Sequence, residues 1–296
     1  MRKGFAENFA LFTLDGQQTT RMSTEKSATL RAIAVAYEIE RILEGRNLDI
    51  SDIPEIEREA KRASKDTDRK AFEKEFSETE CEKGLLDIVP SLLGCDIEYY
   101  TAGVDIYEYR ADATVYSQML EALRRAVLIP GEMTEVAFIA LWLMRECVLY
   151  KLIDPREEET IEKNAEAFMK DSEVYRKLWD IKFRNSFEHA AANLIKRKKI
   201  FMKRKFMQGI ALFAGNVQKE DSIFIDFVVL GTDSSQRRSL LKKFISERGH
   251  HVEEVAYEGQ ALLKIDNRYY HVMPGSKQYR LPVQGAYIVP FYDVMD

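Results

Sequence analysis

Histidine is scarce in this chain, four in 296 residues, and the four are scattered. That leaves no His/Cys frame for a bound metal. Cysteine is scarcer still: Cys81, Cys95 and Cys147 are widely spaced and form no CxxC pair. An odd, dispersed set argues against a disulfide framework and for a reducing compartment. An excess of positive charge is missing too. The net charge is −5, which predicts no global affinity for nucleic acid. The start, MRKGFAENFALF, is basic but lacks a sustained apolar core and a small-residue cleavage site, so a cytoplasmic protein is expected. Nucleophile elbow, dinucleotide fingerprint, P-loop frame and zinc motif are all lacking.

A long unbroken hydrophobic run is also lacking, and the nearest approach to one is informative. In Thr134 to Ile153, TEVAFIALWLMRECVLYKLI, Arg145 and Glu146 interrupt the apolar residues, whereas a membrane span needs about 20 in succession. No alternation by two and no Pro occur, so the stretch predicts a helix apolar nearly all round. Such a helix lies inside a soluble bundle, here with Phe138, Leu141, Trp142 and Val148 buried.

Around this hub the chain predicts a mainly α fold. FALFTL closes on the Asp15-Gly16 turn. Ser23 is placed to cap a helix over Thr24 to Glu44, ended by Gly45. Leu48 and Ile50 read as a short extended segment. The charged stretch Ile53 to Glu82 predicts one or two exposed helices with a thin stripe of Ile56, Ala60, Phe72 and Phe76. DIEYYTAGVDIYEY, Asp96 to Tyr109, alternates around Thr101-Ala102-Gly103 and predicts a projecting β-hairpin. Its four tyrosines suggest self-association through the hairpin. Helices are expected over Ala113 to Leu128, capped by Asp112, over Glu157 to Met169, and from Asp171 to about Phe213. From residue 216 a small α+β unit follows. Its strands lie at Ile223 to Leu230, Ala261 to Ile265, Tyr269 to Met273 and Ala286 to Pro290, and its helix at Ser235 to Arg248. Turns are expected at Asp266-Asn267 and Pro274-Gly275. The expected domains are thus 1–215 and 216–296.

FALFTLDG, LRAIAVAYEIERIL, EGRNLDI, then RKAFEKEFSETECEKGLL, CDIEYYTAGVDIYEYRAD and LRRAVL occur in the order seen in one family. Residues about 5 to 215 resemble the Golgi phosphoprotein 3 family, in the manner of a bacterial-type member. The resemblance implies a helical domain with a projecting hairpin, working as a peripheral adaptor for anionic lipid head groups or a protein partner. It implies ligand-binding roles for Arg31, Arg69, Lys70 and Lys74. The family's head-group Trp position falls near Met22 and one of its paired Arg positions on Glu73. What carries over is therefore anion binding rather than phosphoinositide selectivity. No cofactor is implied.

Two local patterns stand apart. Lys196 to Lys205, KRKKIFMKRK, packs seven cations into ten residues, with Phe201, Met202, Phe206 and Met207 interleaved or adjacent. Such a helix can lie on an anionic membrane through Lys198, Lys199, Lys203 and Arg204, although charge runs ordinarily form solvated faces. Arg184-Asn185-Ser186-Phe187-Glu188-His189 is similar to the Arg-Asn-x-x-x-His signature of HEPN ribonucleases. The alternative function is therefore a metal-independent ribonuclease, with His189 as general acid/base and Arg184 stabilising the phosphorane. The adjacent pair His250-His251 diverges and reads as loop, and Ser234-Ser235 opens a helix that could hold an anion. The leading function is a non-enzymatic binding protein, peripheral to a membrane at most, without specific nucleic-acid recognition.

Overall fold

The computed structural model describes residues 4–19, 24–65, 69–103, 105–147, 149, 152–153, 157–182, 222–227, 232–257, 259–278 and 282–291. Most described residues are helical, with two antiparallel sheets. In the first part run α1 (Phe5–Leu14), α2 (Thr24–Leu43), α3 (Ile53–Lys65) and α4 (Arg69–Glu82). Next come β1 (Leu86–Pro90), α5 (Ile97–Tyr100), β2 (Tyr107–Ala111), α6 (Ala113–Leu128), α7 (Glu135–Cys147), α8 (Glu158–Met169) and α9 (Glu173–Asp180). The second part holds β3 (Ile223–Asp226), α10 (Ser234–Ser246), β4 (Val252–Tyr257), β5 (Gln260–Ile265), β6 (Arg268–Gln278) and β7 (Pro282–Phe291).

The apolar run at Phe138 to Met144 is helical and wholly inside. Phe138, Leu141 and Trp142 have no exposed surface, and Val148 lies outside the described residues. Helix α7 ends at Cys147, short of the expected Ile153. Its interrupting charges are absorbed locally: Glu146, side chain 2% exposed, takes Arg145 at 2.9 Å. The Arg145 guanidinium lies 3.8 Å from the Trp179 ring centroid. The hub of the bundle, however, is α2, which packs on α1, α3, α4 and α7. It presents Leu30, Ile33, Val35, Ala36 and Ile39 to that core, and stops where Glu44 (φ 48°) and Gly45 (φ 81°) turn left-handed. The apolar FALFTL stretch belongs to α1, a helix rather than the strand-like start of the resemblance.

The hairpin expected at Asp96 to Tyr109 is not formed. Asp96 caps α5 by accepting the Glu98 N–H, so the first half is a helical turn. Only Tyr107 onward is strand, and it pairs with β1 in the register Leu86↔Ala111 to Pro90↔Tyr107. Nor does this region project as a free arm. The Asp96 carboxylate also accepts the main-chain N–H of Phe224 at 2.8 Å, and Lys277 reaches Glu98 at 2.8 Å. Leu92 and Cys95 belong to the core of the C-terminal sheet. The alternation of Ile97, Tyr99, Val104 and Ile106 with polar partners favoured a hairpin, but a satisfied Asp cap and burial against the sheet outweigh local β preference.

That sheet has the order β3-β7-β6-β5-β4, all antiparallel. Asp266-Asn267 is the tight turn between β5 and β6, as expected, and Asp266 takes φ 52°. Pro274-Gly275 is no turn; both lie inside β6, paired with Ala286 and Gly285. A Cβ on Gly275 would come within 2.8 Å of the Tyr287 ring, so this glycine marks close packing rather than a chain reversal. Strand β4, VEEVAY, was not expected: two adjacent glutamates break the alternation that marks a strand.

Candidate functional site

The cations that the resemblance marks do not share one surface. Arg31 lies on α2 with no exposed surface. Arg69 opens α4 and donates to the Ser27 hydroxyl on the same helix as Arg31. Lys70 and Lys74 are exposed one helical turn apart on α4, with Lys74 3.8 Å from Glu78. Burial thus removes Arg31 from contact with a surface-bound head group. On the same helix the buried Lys26 donates to the carbonyls of Gln18 and Thr19 at 2.6 and 2.9 Å and pairs with Glu73. Glu73 in turn accepts the Tyr109 hydroxyl at 2.8 Å. This network fastens α2, α4 and β2 together. Arg184, His189, Lys198, Lys199, Lys203 and Arg204 lie outside the described residues.

A second constellation forms where the helical body meets the C-terminal sheet. The Asp15-Gly16 turn ends α1 and sends residues 16–19 alongside β2: Gly16 N–H donates to Tyr109 O at 2.8 Å and Tyr109 N–H to Gln17 O at 3.0 Å. The Asp266-Asn267 turn of the sheet faces it. Asp15 Oδ1 accepts from Ala111 N (3.0 Å) and Asn267 Nδ2 (2.9 Å). Arg268 Nη2 donates to Asp15 O at 2.6 Å and lies 3.2 Å from Asp15 Oδ2. Its guanidinium rests on Gly16, where a Cβ would fall 2.6 Å from Nη2. Next to it Asp266 takes Arg110 at 2.8 Å, His250 Nδ1 at 2.7 Å and the His251 N–H at 3.0 Å.

Burial governs the electrostatics here. It raises the Asp15 carboxyl above the usual range, against the opposing pull of Arg268, Asn267 and Ala111. It raises Glu108 likewise, although Ser91 donates its hydroxyl to Glu108 Oε2 at 2.6 Å. For Asp266 burial also pushes upward, but His250, the His251 N–H and Arg110 outweigh it and hold the carboxyl low. Desolvation works against the Arg268 charge, and the Asp15 and Glu108 carboxylates support it.

These groups line a cavity of about 390 Å³ with Leu92, Ile223, Tyr270 and Phe291. The volume is that of a small-molecule site. Sequence reasoning noted both turns but did not join them. His250, expected in a loop, is 4% exposed and is held by Asp266. The start of α10 is occupied by its own capping box between Asp233 and Gln236. Among the described residues no group of three His, Cys, Asp or Glu side chains is arranged to hold a metal ion. No described helix is long and apolar enough to cross a membrane. No protein-family model, no curated protein and no solved structure matches the chain.

Proposed function

We propose that this protein is a non-enzymatic binding protein, an adaptor that docks peripherally on an anionic lipid head group. The observation that supports this reading is the first turn of α4. It carries Arg69 and Lys70 and no acidic residue, with Lys74 one turn further along the same face. Cations at a helix N-terminus oppose the helix dipole, and an anion bound there relieves both the dipole and the side-chain repulsion. Within α4, Glu73 is turned inward to Lys26, and Lys74 lies 3.8 Å from Glu78 further along the helix. The resemblance of residues about 5 to 215 to peripheral Golgi adaptors points the same way, with Lys70 and Lys74 taking the part that the buried Arg31 cannot.

Vesicle flotation tests the reading. The protein is expected to float with anionic vesicles at low salt and not with neutral ones, and Lys70→Glu with Lys74→Glu to reduce flotation severalfold. Each cation near an anionic surface contributes about 1 kcal/mol. Equal flotation by the double variant removes α4 from the binding surface. Binding to a protein partner without vesicle binding replaces the lipid reading by the partner one. Self-association, expected through a hairpin, shifts in this proposal to the β1–β2 ribbon, where Ile88 and Tyr107 are 53% and 41% exposed. Light scattering across a concentration series tests it, with Ile88→Ser expected to favour the monomer.

A further inference from the structure

The junction cavity has a charge pattern that the head-group reading does not use. Six carboxylate and guanidinium side chains line it: Asp15, Glu108 and Asp266 against Arg110, Arg124 and Arg268. Three carboxylates face three guanidiniums, so the cavity as a whole favours neither an anion nor a cation of net charge.

Most of these groups are already committed. Asp15 takes donors from Ala111, Asn267 and Arg268. Asp266 takes Arg110, His250 and the His251 N–H. Arg124 directs Nε and Nη2 at the Ile153 carbonyl, both at 3.1 Å. Glu108 and Arg268 differ. Glu108 has its Oε2 on the Ser91 hydroxyl, leaving Oε1 as a second acceptor site on the carboxylate. Arg268 is fixed through Nη2 to Asp15, while its side chain keeps 36% of its surface open. It also hydrogen-bonds the Tyr116 side chain, but a guanidinium has five donors and these two partners do not exhaust it. Glu108 and Arg268 also feel each other's charge. The rest of the lining combines Gln17, Gln18 and Asn267 with an apolar and aromatic part that includes Leu92, Ile223, Tyr270 and Phe291.

We propose that this cavity binds a zwitterionic small molecule of the amino-acid type, its carboxylate on Arg268 and its ammonium on Glu108. A ligand of this class has no net charge, matching the balance of the lining. It offers an acceptor to a fixed cation and a donor to a fixed carboxylate in the lining of the same cavity, and its side chain meets the apolar part of that lining. An anion alone would leave Glu108 buried and opposed, and a cation alone would leave Arg268 so. The clamp of Asp15 and Asn267 holds the arginine in place before the ligand arrives, which reduces the ordering cost of binding.

The full chain titrated calorimetrically with each of the common L-amino acids tests this, with acetate, inorganic phosphate and ethylamine as single-charge probes. At least one amino acid is expected to bind, and acetate and ethylamine to bind at least tenfold more weakly. Glu108→Gln keeps an acceptor for Ser91, and is expected to keep the wild-type fold by circular dichroism and to weaken amino-acid binding about tenfold or more, the value of a charge-assisted hydrogen bond. Arg268→Lys is expected to retain part of the affinity. No heat with any amino acid overturns the proposal. So does binding of acetate or phosphate as tight as the best amino acid, or an unchanged affinity in a folded Glu108→Gln protein.

Discussion

The Arg268 guanidinium rests on Gly16 and donates to the carbonyl of Asp15, 253 residues earlier in the chain, at 2.6 Å. This contact ties the first helix of the body to the first residue of β6 and defines one wall of the junction cavity.

Asp15→Ala removes the acceptor of the Ala111 N–H, one of the two acceptors of Asn267 Nδ2 and the charge partner of Arg268. Groups left buried without partners make the loss about 3 kcal/mol, read as a shift in the urea midpoint with an unchanged slope. Asp15→Asn, which keeps one acceptor, is expected to cost less. Gly16→Ala is expected to destabilise as well, because φ 72° disfavours a side chain and the new Cβ meets the guanidinium.

Asp266 gives a pH signature. Its folded carboxyl titrates below the usual value of 3.8, because His250, His251 and Arg110 outweigh burial. The stability it contributes is present above that value and is lost as pH falls through the lower folded one. Asp266→Asn is therefore expected to be less stable than wild type at neutral pH, with the gap closing in acid. Thermal unfolding from pH 7 to pH 3 measures it. A gap that widens toward acid contradicts the assignment.

Glu108 carries the opposite sign. Burial raises its carboxyl above 4.5, so its favourable contribution lies below that value and is lost as pH rises through the raised folded one. Glu108→Gln is expected to match or exceed wild-type stability at neutral pH and to lose ground in acid. The same melting series reads both variants, and parallel curves for Glu108→Gln and wild type would count against a raised carboxyl.

Trp142 has no exposed surface and donates Nε1–H to the Ile181 carbonyl at 3.2 Å. Trp142→Phe strands that carbonyl and leaves a void, at a cost of about 2–4 kcal/mol. Chemical denaturation checks it. A change under 1 kcal/mol would show that the site collapses and rehydrates freely.

The basic stretch of Lys196 to Lys205 lies outside the described residues and keeps its own test. Changing Lys198, Lys199, Lys203 and Arg204 to Glu is expected to abolish flotation with anionic vesicles at low salt. Screening over about 8 Å weakens the wild-type effect at physiological salt. Equal flotation by both proteins would falsify the membrane role of this stretch.

Helices with strong local signals were legible in the residues themselves. Asp112 caps a helix that runs over Ala113–Leu128 as expected, because an N-cap and a turn at Pro130-Gly131 act within a few residues. Gly45 ends α2 and the run at Phe138 to Met144 is buried, since left-handed backbone and apolar periodicity are local properties. The Asp15-Gly16 and Asp266-Asn267 turns were equally visible. That they grip each other was not, because the partners stand about 250 residues apart and neither turn carries a motif. Tertiary structure alone decided three further matters. It closed Arg31 into the core, where a surface role had been implied. It drew Asp96 to Phe224 and so replaced a projecting hairpin by a buried cap. It brought Glu108 and Arg268 into the lining of one cavity. Each depends on which desolvated polar group finds a partner from a distant segment, and that balance is set by packing, which no window of neighbouring residues contains.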